Sequence, residues 1–271
     1  KPLNFKGVVN LKISLAQTNI IWEDKKANET KASEMIEKAA SEGSDLIVFP
    51  EMSLTGFSMN IDVISEYEND SETTRFFSEQ AKKHHIYITF GAAIRCPDGA
   101  IRNQAITVDR NGEIVSRYSK IHPYSHGVEG KYFTGGDSPS WFDIDGVTAS
   151  PLICYDVRFP EIFQIVSKKS RLIVIPVCWP LQRVHHLDIL LRARAIENQS
   201  FIAAANRTGH EMKYDYTGHS QIVGPRGDVL TEIREDEALI TAEIDLGEAD
   251  DFRREYQLKR DRRPDIYKKY M

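Results

Sequence analysis

Residues 147–161 read VTASPLICYDVRFPE: a strand, a tight turn carrying a cysteine, and the start of a helix. Val147–Ile153 is short, apolar and partly β-branched, as a buried strand is. Phe159-Pro160-Glu161 opens a helix, because proline fits the first helical turn. Cys154-Tyr155-Asp156 falls between the two. A nucleophile on such a turn is exposed at the strand's end and near the helix's positive pole, a placement expected to lower a thiol pKa and favour the reactive thiolate. The backbone N–H just after it could help to hold a developing oxyanion. The competing reading of Cys154, taken alone, is a buried structural cysteine.

The same grammar extends outward in both directions. Strands are expected over 11–17 (LKISLAQ), 45–49 (DLIVF), 86–94, 172–177 (LIVIPV) and 200–205. Ala32, Met35, Ile36, Ala39 and Ala40 recur at helical spacing, and further helices are expected near 73–84, 160–168 and 184–198. Turn chemistry at Asn111-Gly112, Asp145-Gly146 and Pro225-Arg226-Gly227 marks three hairpin-like pairs. No repeat, low-complexity segment or Pro/Gly/Ser linker interrupts the chain. Residues 1–271 therefore read as one α/β domain, with helices outside and sheets within, ending in a charged, tyrosine-rich tail from about 248. Periodicity does not say whether there is one sheet or two.

Composition narrows the partners. Forty acidic against 35 basic residues give a formal charge of −5, which argues against nucleic acid or an anionic membrane as the main partner. No apolar run reaches the roughly 18 residues of a membrane span, and KPLNFKGVVN at the start lacks an export-signal core. Three cysteines (Cys96, Cys154, Cys178) are too few and too scattered for a disulfide framework or a zinc site. Reduced thiols in the cytoplasm are the expectation, and one of them is free to be a nucleophile.

Two more reactive residues sit where strands end. Glu51 follows DLIVF and Pro50, and a carboxylate there could act as a general base. Lys120 follows the strand ending at Tyr118, and a lysine fixed in a pocket could stabilise a tetrahedral intermediate. Taken singly, Glu51 reads rather as a helix or turn cap and Lys120 as a solvent-facing residue. His84-His85, His185-His186 and the His122/His126 spacing lack the companions of a metal site, and no nucleotide-binding glycine motif is present. No metal and no cofactor are expected.

Phe49-Pro50-Glu51 with Thr55-Gly56-Phe57, then Tyr118-Ser119-Lys120-Ile121-His122, then Cys154 through Glu161, resemble the three signature segments of the nitrilase superfamily of carbon–nitrogen hydrolases. Order and separation match too, and similarity extends from about residue 11 to 245. Gly135-Gly136-Asp137, Trp179-Pro180, Leu191 to Gln199 and Gly218-His219-Ser220 resemble further family segments. The resemblance implies a four-layer α-β-β-α sandwich. It implies Cys154 as nucleophile, Glu51 as general base, Lys120 as stabiliser of the tetrahedral intermediate and Glu129 as a second glutamate orienting substrate and lysine.

The Cys-Tyr-Asp-x-Arg-Phe-Pro-Glu form is most similar to the omega-amidase and Nit-like branch. Amidase action on a small carboxylate-bearing amide, with release of ammonia, is thus the expected function. The alternatives are an N-carbamoyl or deaminated-glutathione amidase of the same branch, and a non-catalytic interaction module. Arg158, Tyr155 and Trp179 are the expected substrate contacts, with Arg158 either a carboxylate anchor or half of a structural salt bridge, for instance with Glu161. A homodimer or larger even assembly is also implied. Three residue choices depart from the family pattern, one of them Ser150, which stands where a glycine is common. Pro123-Tyr124-Ser125-His126 replaces a more usual Leu-Phe-Asp type of continuation, and Cys178 stands where a small or amide residue is typical.

Overall fold

The structure is a computed structural model that describes residues 10–270; the N-terminal segment inspected for an export signal lies outside them, save Asn10. In chain order, strand β1 (Asn10–Gln17) leads to helix α1 (Lys25–Ser41), β2 (Leu46–Val48), α2 (Ile61–Ile64), β3 (Glu66–Tyr67) and α3 (Glu72–His84). Then come β4 (Tyr87–Arg95), β5 (Ile101–Val108), β6 (Ile114–Ser119), α4 (Glu129–Tyr132), β7 (Phe142–Ile144) and β8 (Val147–Pro151). The second half runs α5 (Pro160–Val166), β9 (Leu172–Pro176), α6 (Val184–Asn198), β10 (Phe201–Ala205), β11 (Thr208–Glu211), β12 (Tyr214–Thr217) and β13 (Gln221–Val223). It closes with β14 (Ala238–Asp245), α7 (Gly247–Glu255) and α8 (Pro264–Tyr267).

Two larger sheets form. One has the order β14-β1-β2-β4-β5-β6, with β3 added on β4; the other has the order β13-β10-β9-β8-β7. In each, a parallel centre is flanked by antiparallel strands: β1, β2 and β4 in the first, β8, β9 and β10 in the second. Strand periodicity explains how they stack, because alternate residues face opposite sides. Leu11, Ile13, Leu15, Leu46 and Val48 of the first sheet meet Ala149, Leu172, Val174, Phe201 and Ala203 of the second in one buried core. The residues between them turn outward. Ile47, Ile88 and Ile106 pack under Ala32, Ile36 and Ala39 of α1 and Phe77 and Ala81 of α3. On the far side Ile173, Ile175 and Ile202 pack under Phe163 of α5 and Leu187, Leu191 and Ala195 of α6. The layers are therefore α-β-β-α, the sandwich that the resemblance implied. Both sheets read as near-continuous apolar runs because each is covered on two faces.

Where sequence and structure differ, packing explains the difference. The sequence reading contains no strand at β14. This strand pairs along the whole of β1, from Asn10↔Asp245 to Gln17↔Ala238, and only Ile240 and Ile244 are buried on it. The hairpin expected around Pro225-Arg226-Gly227 reduces to β13 and a single Val223–Val229 bridge. The charged segment beyond 246 opens as α7, whose Ala249 joins the core between the sheets. There Arg171 pairs with Asp250 at 2.6 Å, and Arg253 donates to the Ser170 and Gln199 carbonyls.

Candidate active site

The parallel strands of both sheets end on one side of the molecule, and the chemistry collects there. Glu51 follows β2, Lys120 follows β6, Cys154 follows β8, and Cys178 and Trp179 follow β9. The two sheets are tied at this edge by the Glu51 N–H, which donates to the Val177 carbonyl at 3.3 Å. A cavity of about 780 Å³ opens over it, lined by Glu51, Lys120, Glu129 and Cys154 at its base and by Tyr155, Arg158 and Trp179 on its wall. All seven residues singled out in the sequence thus meet in one place.

Local backbone constraints aim each group. Cys154 adopts φ +43, in the left-handed region that a non-glycine residue enters at a cost of about 1–3 kcal/mol. That bend sets the thiol at the lip of a short 3-10 turn over Cys154–Arg158. Asp156 holds the turn. Fully buried, it accepts from the Ile153 N–H at 3.0 Å, the Tyr118 hydroxyl at 2.8 Å and the His122 N–H at 3.2 Å. One carboxylate thereby fastens the Cys154 turn to the Lys120 segment. Behind Glu51, Gly91 lets the chain pass closely, since a Cβ there would lie 2.5 Å from the Met52 nitrogen.

The charged groups form one buried network. Lys120 Nζ donates to Glu51 Oε1 at 2.7 Å and to Glu129 Oε1 and Oε2 at 3.0 and 2.9 Å. Asn103 Nδ2 donates to Glu51 Oε1 at 2.7 Å and Glu129 Oε1 at 2.9 Å. Glu51 Oε2 is buried and has no hydrogen-bond partner among the described residues, so one carboxylate oxygen is available as an acceptor. Burial raises the Glu51 pKa, Glu129 adds to the rise, and Lys120 and the Cys154 thiol work against it. Burial opposes the Lys120 charge, but Glu51 and Glu129 outweigh it and hold the ammonium well above the ordinary lysine value.

Cys154 corrects an expectation. Its thiol pKa is raised well above the ordinary value, first by burial and then by the Glu51 charge, with Lys120 and the Cys178 backbone N–H only partly offsetting them. Residues 154–158 form a short 3-10 turn rather than the first turn of a regular helix, so little dipole is available to counter desolvation. A thiol so raised yields its proton only to a base close by. Burial likewise pushes the neighbouring Cys178 thiol up to about 12.

Arg158 resolves its two readings in part. It makes no ion pair among the described residues, and Glu161 is not its partner. Its guanidinium instead lies 4.6 Å from the centre of the Trp179 ring and 6.0 Å from that of Tyr155, and Nη2 is 3.4 Å from His186 Nδ1. A guanidinium on the cavity wall with no carboxylate of its own can take one from a ligand. Sequence reading missed Asn103 and Asp156. The signal for Asn103 was a polar residue between Ile101 and Ala105 on the inward period of β5.

Free acceptor, thiol and ammonium converging under a cavity are the components of a cysteine-dependent acyl-transfer site. The family model described as carbon-nitrogen hydrolase matches residues 12–254, and the chain belongs to that family. A 2-oxoglutaramate amidase of Bacillus subtilis is 37% identical over 94% of this chain and 98% of its own. An omega-amidase of Xenopus tropicalis is 30% identical over 96% of this chain and 98% of its own. The crystal structure of a CN-hydrolase superfamily protein from Xanthomonas campestris superposes with a TM-score of 0.88 at 29% identity, covering 94% of this chain and 98% of that one.

Proposed function

We propose that this carbon–nitrogen hydrolase is an amidase of the omega-amidase type, cleaving a small carboxylate-bearing amide through an acyl-thioester on Cys154. The observation that carries the reading is the meeting of an available Glu51 oxygen, Cys154 and the Lys120 ammonium beneath a cavity whose wall holds the Arg158 guanidinium, which has no ion pair among the described residues. The amidase names of the relatives support it. In this reading Glu51 takes the thiol proton as the sulfur attacks the amide carbon. The carbonyl oxygen gains the electron pair and is held by Lys120, which stays charged and donates no proton. Glu129 and Asn103 hold the paired lysine and Glu51 in place. Collapse breaks the carbon–nitrogen bond, Glu51 returns its proton to the leaving nitrogen, and ammonia departs. Water then gives a proton to Glu51 and attacks the thioester, releasing the acid and restoring the thiol.

Ammonia release from a panel of dicarboxylate mono-amides, carbamoyl compounds, deaminated glutathione and nitriles tests the substrate class. Preference for the mono-amides is the expected result, and preference for a carbamoyl compound or no turnover at all would displace it. Within this reading Arg158 anchors the carboxylate, with Tyr155 and Trp179 as the flanking walls. Arg158→Met is expected to lower kcat/KM for carboxylate-bearing amides about 10- to 100-fold, the worth of a hydrogen bond to charge of roughly 1.5–3 kcal/mol. Neutral amides of equal length should lose much less; equal losses would return Arg158 to the scaffold.

The raised Glu51 pKa gives the reading a pH signature. A base must be ionised to accept a proton, so kcat/KM should fall toward acid through a value above the ordinary carboxylate range. Glu129 is one of the charges that lift Glu51. Removing it in Glu129→Gln should therefore move that acid limb to lower pH, alongside a drop in kcat. A limb that stays in place would detach it from Glu51.

The same reading includes a reduced, cytoplasmic setting and a homodimer or larger even assembly. Ile165 on α5 and Ile189 and Ile196 on α6 are exposed on the outer helical layer, which supports pairing through those helices. Light scattering at micromolar concentration should give at least twice the chain mass, and a monomer would contradict the assembly.

A further inference from the structure

Arg183, just before α6, is a second guanidinium on the cavity wall, and no ion pair holds it among the described residues. Its Nη1 donates to the Tyr124 hydroxyl at 2.7 Å, and its guanidinium lies 5.3 Å from the centre of the Tyr124 ring. Tyr124 is itself fixed on three sides. Its ring meets that of Tyr155, the residue after Cys154, edge-on at 5.1 Å. Gly127 lies against the ring, where a Cβ would come within 2.8 Å of Cδ1. The Tyr124 backbone N–H donates to Glu129 Oε2 at 2.5 Å, and the same oxygen holds Lys120 Nζ at 2.9 Å. Two guanidiniums therefore flank one aromatic pair, Arg183 over Tyr124 and Arg158 over Tyr155. From Arg183 a continuous path of contacts runs through Tyr124 and Glu129 to Lys120. Ser125, His126, Gly127 and Val128, between Tyr124 and Glu129, are exposed, so the bonds at the two ends of this loop are what hold it.

We propose that Arg183 is a specificity-determining and positioning residue: with Arg158 it forms a two-guanidinium seat for the carboxylate end of the substrate, and through Tyr124 it sets the Glu129–Lys120 pair. The inference rests on the amidase reading of the site. A planar fork with one donor committed to Tyr124 retains four more for an anion. A carboxylate seated there draws on the group that also tethers the 121–129 loop, so substrate charge should be felt in kcat as well as in KM.

The test compares the mono-amide of glutarate with a neutral amide of matched length, in the full-length enzyme. Arg183→Met should lower the ratio of their kcat/KM values about 10- to 100-fold, and Arg183→Lys should recover part of it. Tyr124→Phe keeps the ring and the backbone N–H but cuts the tether. It should lower kcat about 3- to 10-fold with little change in KM, and should add no further loss in the Arg183→Met background. An unchanged substrate ratio, or a Tyr124→Phe loss of equal size in both backgrounds, would overturn the proposal, as would a drop in melting temperature with the ratio intact. A second readout needs no turnover. Glutarate binding to Cys154→Ala by calorimetry should weaken about tenfold or more with Arg183→Gln added, and equal binding would refute the seat. If the wild type cleaves no amide, the functional reading fails, while the glutarate titration still decides whether the seat exists.

Discussion

Cys154→Ala is expected to lower amide turnover by about 10⁴-fold or more while barely moving the melting temperature, because covalent catalysis fails as a unit when its nucleophile is lost. The structure gives the reason for the contrast. The sulfur faces the base of the cavity at the edge of the cluster under α5 and α6, so in the proposed mechanism its loss removes the nucleophile while giving up little packing. Alanine accepts the same strained backbone no worse than cysteine does, so the φ +43 bend is retained. Steady-state ammonia release and a thermal melt on the same preparation check both halves. Turnover near wild type would end the mechanism.

Lys120→Met is expected to be as severe for activity and, unlike Cys154→Ala, to unfold more easily. Lys120 is the cation between two carboxylates that are 1% exposed. Its removal leaves Glu51 and Glu129 buried together without compensation, and breaking a buried pair in this way costs about 3–5 kcal/mol. Glu51, already raised by burial, would then resist ionisation further, so the destabilisation should be largest at neutral pH and shrink as acid protonates it. A melting temperature equal to wild type at neutral pH would show that these three groups do not form a buried charge cluster. Glu51→Gln isolates the chemistry from the charge. It keeps an acceptor oxygen for Lys120 but removes the base, so activity should fall as far while stability changes less.

Much of this was legible because strand ends are where an α/β protein puts its reactive groups. Glu51, Lys120 and Cys154 each come after a short apolar run, and the motif around each resembled a family segment. The four-layer architecture came from that resemblance, since periodicity alone could not divide the strands between two sheets. The unread parts share a physical cause: their role depends on neighbours distant in sequence. Asp156 lies beside the motif cysteine, yet its work is to bind Tyr118 and His122, more than thirty residues away. Asn103 sits in mid-strand and gains meaning only from Glu51 and Glu129. β14 exists because β1 offers it an edge, and α7 because Leu246 and Ala249 reach the core between the sheets; the charge-rich sequence of α7 conceals its part, and only two positions of β14 are buried to mark it as a strand. The thiol pKa departs from its sequence expectation for a similar reason. Local context suggests a helix pole, whereas burial and a carboxylate from another strand decide the outcome.

Alkylation shows most directly whether Cys154 carries the reaction. Iodoacetamide should inactivate the enzyme in proportion to the fraction of Cys154 modified, as located by peptide mass spectrometry, and a mono-amide substrate should protect. Neither modification of Cys96 nor that of Cys178 should track the loss. Full alkylation of Cys154 with turnover retained would take the nucleophile's role away from this residue.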